Sequence, residues 1–405
     1  MAGSMGVTFW KFWTAALLAN VGDGIRLAAF PLLAASLTSE PVLVAAVTAA
    51  QAVPWLLGGL AAGSLADRAS ARLLMAVADV GRVTVLALLV GLILIDRATI
   101  GVVLLAACLL GVGEIVRDTA AQTVIPRLVA KPMLERANGR LVAAEVVGGE
   151  FVGPPVGGAL FVAGAALPFL ANGAALAICV LLVLSIPLGL LSAHLVGEDE
   201  ASSPVGDGVL AGLRWLRTNR LMCALLASVA AVALADSAWF AILVLFVGDT
   251  LGLSGSVFGL LLAVGAVGGL VGAVLAERII GTDRHRSVLA WTLAVSAITP
   301  ALLLASPTLP ALTVVVVVTS ASFAVLNVAA VSLRHRLVPT ALLGRTTAAS
   351  RTLTYGSAAA GALVGGLAAS QAGVLAPFAV SAVIGVLATA VWVVYSRTGP
   401  EAAPG

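Results

Sequence analysis

The sequence predicts an all-α membrane protein whose twelve transmembrane helices form two pseudo-symmetric six-helix bundles. Three observations predict it. The 405 residues are 61% hydrophobic and 10% charged, with a mean hydropathy of +1.13, whereas soluble domains carry about 25% charged residues. Cutting the chain at its charged, proline and glycine clusters leaves twelve apolar runs, each near the ~20 residues that cross a bilayer as a helix. The second six runs also repeat motifs of the first six.

In order, the runs are roughly 10–37, 41–66, 73–95, 99–126, 140–164, 167–193, 220–249, 255–280, 288–306, 309–333, 346–371 and 373–396. The first holds Asp23 and Arg26 and precedes eleven more, so it reads as a retained span and not a cleaved leader. GSLADRASAR separates runs 2 and 3, Asp96 and Arg97 separate 3 and 4, and PRLVAKPMLERANGRL separates 4 and 5. Run 5 contains GGEFVGPPVGGAL, Gly148 to Leu160, whose prolines a membrane helix tolerates when neighbours satisfy the freed carbonyls. The longest polar interruption, His194 to Arg220 with GEDEASSPVGDG, places a first bundle at 1–193, a cytoplasmic linker at 194–219, and a second bundle with a short cytoplasmic tail at 220–405. In the second half, ERIIGTDRHR divides runs 8 and 9, and RHRLVPTALLGR divides 10 and 11.

Basic residues bias a loop to the cytoplasm. Eighteen of the 22 Lys and Arg fall on one side of this topology, Arg97 alone on the other, and Arg26, Arg82 and Arg117 within spans. Both termini are therefore expected in the cytoplasm of a bacterial-type cell with the chain in its inner membrane. The formal net charge of +3 reflects topology and implies no nucleic-acid partner. Cys108, Cys179 and Cys223 lie in apolar runs without metal-binding spacing and read as small buried residues. No nucleotide-binding, metalloprotease or serine-hydrolase motif occurs, and no nucleophile and base appear at usable spacing. The expectation is a non-enzymatic protein with no cofactor and no metal.

The halves align twice. Arg117 to Val129, RDTAAQTVIPRLV, matches Leu326 to Val338, LNVAAVSLRHRLV, at an offset of 209, and Gly58 to Arg68, GGLAAGSLADR, matches Gly268 to Arg278, GGLVGAVLAER, at 210. Two segments sharing nearly one offset argue for duplication, and parallel six-span repeats describe a known transporter architecture. Gly63 to Arg72, with Gly63, Asp67, Arg68 and Arg72, resembles the loop 2–3 signature of the major facilitator superfamily, and Ala276-Glu277-Arg278 resembles its degenerate second copy. Gly149, Gly153, Pro154, Gly157 and Gly158 make a G-x-x-x-G-P-x-x-G-G pattern similar to the helix 5 signature of that superfamily's drug/proton antiporters. GDGIRLAAFPLL in helix 1, ADVGR in helix 3 and the helix 4–5 connection resemble the branch of enterobactin exporters and macrolide efflux proteins. The likeness runs from about Trp10 to Tyr395. One departure stands out: the superfamily's helix 4 arginine would fall at position 107, counting back from Gly111, and that residue is Ala107.

Intramembrane ionisable residues are costly and are functional candidates. The first half carries Asp23, Arg26, Asp79, Arg82, Glu114, Arg117, Asp118, Glu145 and Glu150, while the second has little beyond Asp236, Asn327 and Arg351. Asp23 lies roughly 20 Å from the first tryptophan at ~1.5 Å per residue, and Glu114 is similarly deep in helix 4. Burial favours the neutral acid unless a cation pairs with it, as a reversible proton carrier requires. Asp23, Glu114, Glu150 and Asp236 are thus proton-coupling candidates, and Arg26, Arg117, Asp118, Asp79 and Arg82 ion-pair candidates. Asp79 and Arg82, at i and i+3, read as a self-satisfied structural pair. Glu150 either points into the cavity or, protonated, bonds a carbonyl freed by Pro154. Asp236 either faces the cavity or bonds a neighbouring helix.

The resemblance implies that Asp67 latches the cytoplasmic side against helix 11, with Arg117 as a cation for it. The glycines of helix 5 form a flat stripe that another helix can approach; Gly265, Gly268, Gly269 and Gly272 of helix 8 are its expected partner. Asn20, Gln51, Trp55, Trp239, Phe240, Asn327 and Tyr355 are substrate-cavity candidates, for each of which packing is the bland alternative. Trp10, Trp13, Trp215, Trp392 and Tyr395, near span ends, read as interfacial anchors. The function expected is export of a hydrophobic or amphiphilic small molecule by proton antiport and alternating access, by a monomer whose partners are substrate, protons and lipid bilayer. The alternatives are uptake or lipid translocation by the same fold, or a receptor-like protein without transport.

Overall fold

Apolar runs of this length satisfy their backbone polar groups within lipid by coiling into helices, and the computed structural model contains twelve long helical segments among the described residues. It describes residues 5–68, 70–187, 219–280, 285–338 and 340–398, so the linker expected at 194–219, with Trp215, lies outside the described residues. The first six segments are α1 (Val7–Leu37), α2 (Pro41–Arg68), α3 (Ala71–Leu94), α4 (Ile100–Leu128), α5 (Leu134–Ala163) and α6 (Leu167–Leu184). The second six are α7 (Arg220–Thr250), α8 (Gly255–Ile279), α9 (His285–Ala305), α10 (Leu309–Leu337), α11 (Thr340–Ala372) and α12 (Ala376–Thr398). Among the described residues ten are long and apolar enough to cross a bilayer, and α2 adds the shorter apolar stretch Pro41–Leu56.

Local chemistry sets the ends. Ser70, Thr99 and Asn219 each accept a hydrogen bond from the backbone N–H three residues on and so cap α3, α4 and α7, satisfying donors that a helix start leaves open. The helix of run 6 ends at Leu184, because Pro187 disfavours helical backbone at the residue before it; the bound expected at 193 lies outside the described residues. In α5, Pro154 and Pro155 lack N–H groups, so they cannot bond the carbonyls of Glu150 and Phe151. The chain widens there into a π turn, Val146–Val152, closed by Gly153 N–H donating to the Gly148 carbonyl. The expected proline kink is therefore an expanded turn within one long helix. A second π turn, Phe246–Thr250, ends α7.

The contacts divide the chain into two units, one of residues 1–202 with 252–263, the other of 203–251 with 264–405. In the first, α1 packs against α5 and α6, α3 against α4 and α6, and α2 against α4. In the second, α7 packs against α11 and α12, α9 against α10 and α12, and α8 against α10 through Gly265, Gly268 and Gly272. The second scheme is the first with six added to every helix number, which is what the repeated motifs predict. Small residues make the shared contacts. A side chain at Gly153 or Gly157 of α5 would strike the backbone of Gly24 or Ile25 in α1, and one at Gly361 or Gly365 of α11 would strike Leu234 or Ala238 in α7.

Those contacts correct the expected partner of the helix 5 stripe. Gly24 of α1 abuts Gly149 and Gly153, while Gly158 meets Gly255 and Gly259 in the part of α8 that belongs to the same unit. Gly265, Gly268 and Gly272 are taken up by Val316, Val317 and Ala321 of α10. Two facing glycines bring backbones closer than one stripe alone can, and Gly24, a residue the stripe itself does not point to, is the second.

The core of the second unit overturns the anchor reading of Trp392 and buries Trp239, for which packing was the open alternative. Trp239, a cavity candidate, is buried, with its ring stacked 5.9 Å from Phe378 at 25°, and Phe246 meets Phe378 edge-on at 5.3 Å. Its area is used for packing. Trp392, taken for an interfacial anchor, is fully buried and donates through Nε1 to the Arg286 carbonyl at 3.0 Å, while Arg286 Nη1 donates to the Ser396 carbonyl at 2.8 Å. Reciprocal bonds thus fasten α9 to α12.

Candidate functional site

Three helices of the first unit each bring one turn of charge to a common place. α1 supplies Asp23 and Arg26, α3 supplies Asp79 and Arg82, and α4 supplies Glu114, Arg117 and Asp118. Gly113 makes the crossing possible, since a side chain there would strike the Arg82 stem. Gly111 likewise fits under Pro54 and the Gln51 carbonyl of α2.

The pairing runs between helices. Arg82 bonds Asp23, and Arg26 bonds Glu114 while lying 3.4 Å from Asp23. Arg117 donates from Nε to Asp79 at 3.1 Å, from Nη1 to Asp118 at 3.5 Å, and from Nη2 to the Ala15 carbonyl at 3.3 Å. The Arg82–Asp79 distance is 3.6 Å. The reading of Asp79 and Arg82 as a self-contained pair is therefore corrected: the shorter contact of each is on another helix. A fork of five donors serves several acceptors at once, and i, i+3 spacing alone cannot reveal that.

The arrangement is expensive. Arg26, Arg82 and Arg117 are at most 6% exposed and the Asp79 side chain is 0% exposed. A pair at this range gains on the order of 4 kcal/mol at an effective dielectric of about 20, against a desolvation cost of several kcal/mol for each ion. Attraction and desolvation nearly cancel, so seven ionisable residues here are poor instruments of stability. They are also unequal in number. The carboxylates Asp23, Asp79, Glu114 and Asp118 face three guanidinium groups, leaving one carboxylate in excess among the described residues.

The other candidates lie apart. Glu150 is exposed on the π turn of α5 with no hydrogen bond or ion pair among the described residues, and Asp236 is half-buried on α7 in the second unit. Gly63, Asp67 and Arg68 occupy the end of α2, and their side chains lie outside the described residues. Arg72 bonds the Leu184 carbonyl at the end of α6, where a helix C-terminus attracts a cation. Arg117 is engaged by Asp79, Asp118 and the Ala15 carbonyl. Asn20, Gln51, Trp55, Phe240 and Tyr355 are half-buried and Asn327 is exposed.

Sequence reasoning missed Asn172. This α6 side chain is fully buried, and neither polar atom has a hydrogen-bond partner. It lies over Gly22 of α1, next to Asp23, in space that a side chain at Gly22 would take. The signal was available as the lone amide of the apolar stretch LPFLANGAAL.

Twelve helices, a doubled packing scheme and a buried charge network define a multi-pass membrane transporter of major facilitator type. The crystal structure of a single-site mutant of the nucleoside transporter NupG superposes with a TM-score of 0.80 at 12% identity, covering 96% of this chain and 99% of that one. A bacterial homologue of the iron transporter ferroportin gives 0.77 at 17%, covering 97% and 100%. A bacterial homologue of the human lysosomal transporter Spinster gives 0.74 at 14%, covering 98% of each. No curated protein sequence matches the chain. The family model described as transmembrane secretion effector matches residues 4–402, and the chain belongs to that family of the major facilitator superfamily.

Proposed function

We propose that this protein exports a hydrophobic or amphiphilic small molecule, such as a drug, siderophore or natural product, in exchange for protons by alternating access. The observation that carries the reading is the network of α1, α3 and α4, whose surplus carboxylate can take one proton and leave the cluster neutral. Taking up a proton removes a charge whose burial is costly, so loading alters the energy of any state in which the site is closed. The helix 5 pattern at Gly149, Gly153, Pro154, Gly157 and Gly158 supports antiport by resemblance. Apolar walls with few amides suit an amphiphile better than a sugar. The bundle boundaries at 193 and 220, the cytoplasmic termini, the inner-membrane location and the monomeric state belong to the same proposal.

In this mechanism a proton entering from the acidic outside neutralises the network and favours one arrangement of the halves. Its release to the cytoplasm restores the negative charge and favours the other, with substrate bound in the return. Inside-out vesicles test the reading: an acidic lumen should drive accumulation of an amphiphilic cation such as ethidium. Accumulation driven only by an acidic exterior would instead indicate proton-coupled uptake in the opposite sense.

A further inference from the structure

Resting on the proton-coupled reading, we propose that Asp118 is the carboxylate that takes up and releases the proton, while Asp23, Glu114 and Asp79 remain ionised in their arginine pairs. The four acids differ in how they are held. Asp79 is 0% exposed between Arg117 at 3.1 Å and Arg82 at 3.6 Å. Asp23 bonds Arg82 directly and has Arg26 at 3.4 Å, and Glu114 bonds Arg26 directly. Among the described residues Asp118 has a single contact, Arg117 Nη1 at 3.5 Å. That guanidinium is committed through Nε to Asp79 and through Nη2 to the Ala15 carbonyl. Of the four side chains Asp118 is also the most open, 40% exposed against 22% for Glu114 and 19% for Asp23.

With three cations for four acids, the excess negative charge settles where pairing is weakest and where a proton can arrive. Both criteria select Asp118. Asp118 touches Arg117, and the other charges of the network around that guanidinium are Glu114 of its own helix, Asp23 and Arg26 of α1, and Asp79 and Arg82 of α3. The acids on that list oppose a further negative charge at Asp118. From α6 the only titratable group is the Cys179 thiol, which donates to the Ala15 carbonyl at 3.1 Å. The side chains of Asp67 and Arg68 on α2 lie outside the described residues. In the step itself, hydronium gives a proton to an Asp118 carboxylate oxygen, leaving water and a neutral acid. Arg117 keeps Asp79 and the Ala15 carbonyl, and the charge of the seven-residue cluster goes from one negative to zero. Release to water reverses each change. Within α1, α3 and α4 every interhelical pair survives the step, so these three helices stay joined while the charge of the cluster changes.

The test needs no identified substrate. The full chain is reconstituted in liposomes and its infrared difference spectrum is recorded between acidic and neutral pH, where a protonated carboxyl shows its C=O stretch. Asp118→Asn should remove one carboxyl band present in the unaltered protein, and Asp118→Glu should restore a band at a shifted frequency. Glu114→Gln should leave a titrating band in place. Thermal melting of each purified variant separates a folded protein from a failed one, and the Asp118→Glu spectrum decides the matter if Asp118→Asn does not fold. A band that survives Asp118→Asn and disappears in Glu114→Gln would overturn the assignment while leaving proton coupling intact. An unaltered protein that shows no titrating band, and moves no ethidium under a pH gradient, would overturn both.

Discussion

Replacing Arg117 with methionine removes the cation nearest to Asp79 but retains the apolar stem. The Asp79 carboxylate is 0% exposed and keeps only Arg82, at 3.6 Å, so it becomes a buried charge with half its compensation. Breaking one partner of a buried pair costs about 3–5 kcal/mol. Removing both partners is different. Asp79→Leu with Arg117→Met leaves neither charge and similar volume, a change that in other proteins is neutral or stabilising. The double variant should therefore melt within roughly 3 °C of the unaltered protein, while Arg117→Met alone falls by about 10 °C, at ~2–4 °C per kcal/mol for a unit of this size. The assay is thermal unfolding of the detergent-purified protein, read as a double-mutant cycle. Additive losses, with the double variant at the sum of the singles, would refute the argument that the pair is held by mutual need.

Four further outcomes follow from packing and polar satisfaction. Gly153→Val would drive its side chain into the backbone of Gly24 and should abolish a monodisperse elution profile, whereas Gly81→Ala, with nothing within 4 Å, should raise stability by about 0.5–1 kcal/mol through helix propensity. Asn172→Leu relieves two buried unpartnered atoms and should raise the melting temperature, since such a group costs about 1–3 kcal/mol; an unchanged or lower value would show that the amide is satisfied in the membrane. Trp392→Phe loses the bond to the Arg286 carbonyl and part of the α9–α12 packing, and should cost about 1–3 kcal/mol in the same melt.

The helices were legible because hydrophobicity and charge punctuation are one-dimensional signals, and lipid leaves the backbone few other choices. The doubling was legible too: the repeated Arg-Leu-Val and Gly-Gly-Leu segments correspond to helices with equivalent neighbours. The concentration of acids in the first half could be counted directly. Which acid met which arginine could not, since Asp23, Arg82, Glu114 and Arg26 reach one another only after α1, α3 and α4 have packed. Spacing along one helix suggested pairs within helices, and those are the longer contacts. Trp392 was misplaced for a related reason. A tryptophan near a span end has the same sequence context whether its ring meets lipid or the Arg286 carbonyl of α9, and only the packed neighbours decide. The partner of the helix 5 glycines was missed because Gly24 sits beside Asp23, where the charge drew the interpretation.

The central claim is that proton movement and substrate movement are opposed, and one preparation of proteoliposomes tests it. Ethidium flux is followed while the sign of the pH gradient is reversed across the same membrane. In an antiporter, an acidic lumen drives accumulation and an alkaline lumen drives expulsion, whichever way each molecule is inserted, and no gradient gives equilibration alone. Accumulation under an alkaline lumen, or a flux indifferent to the gradient, would contradict the account.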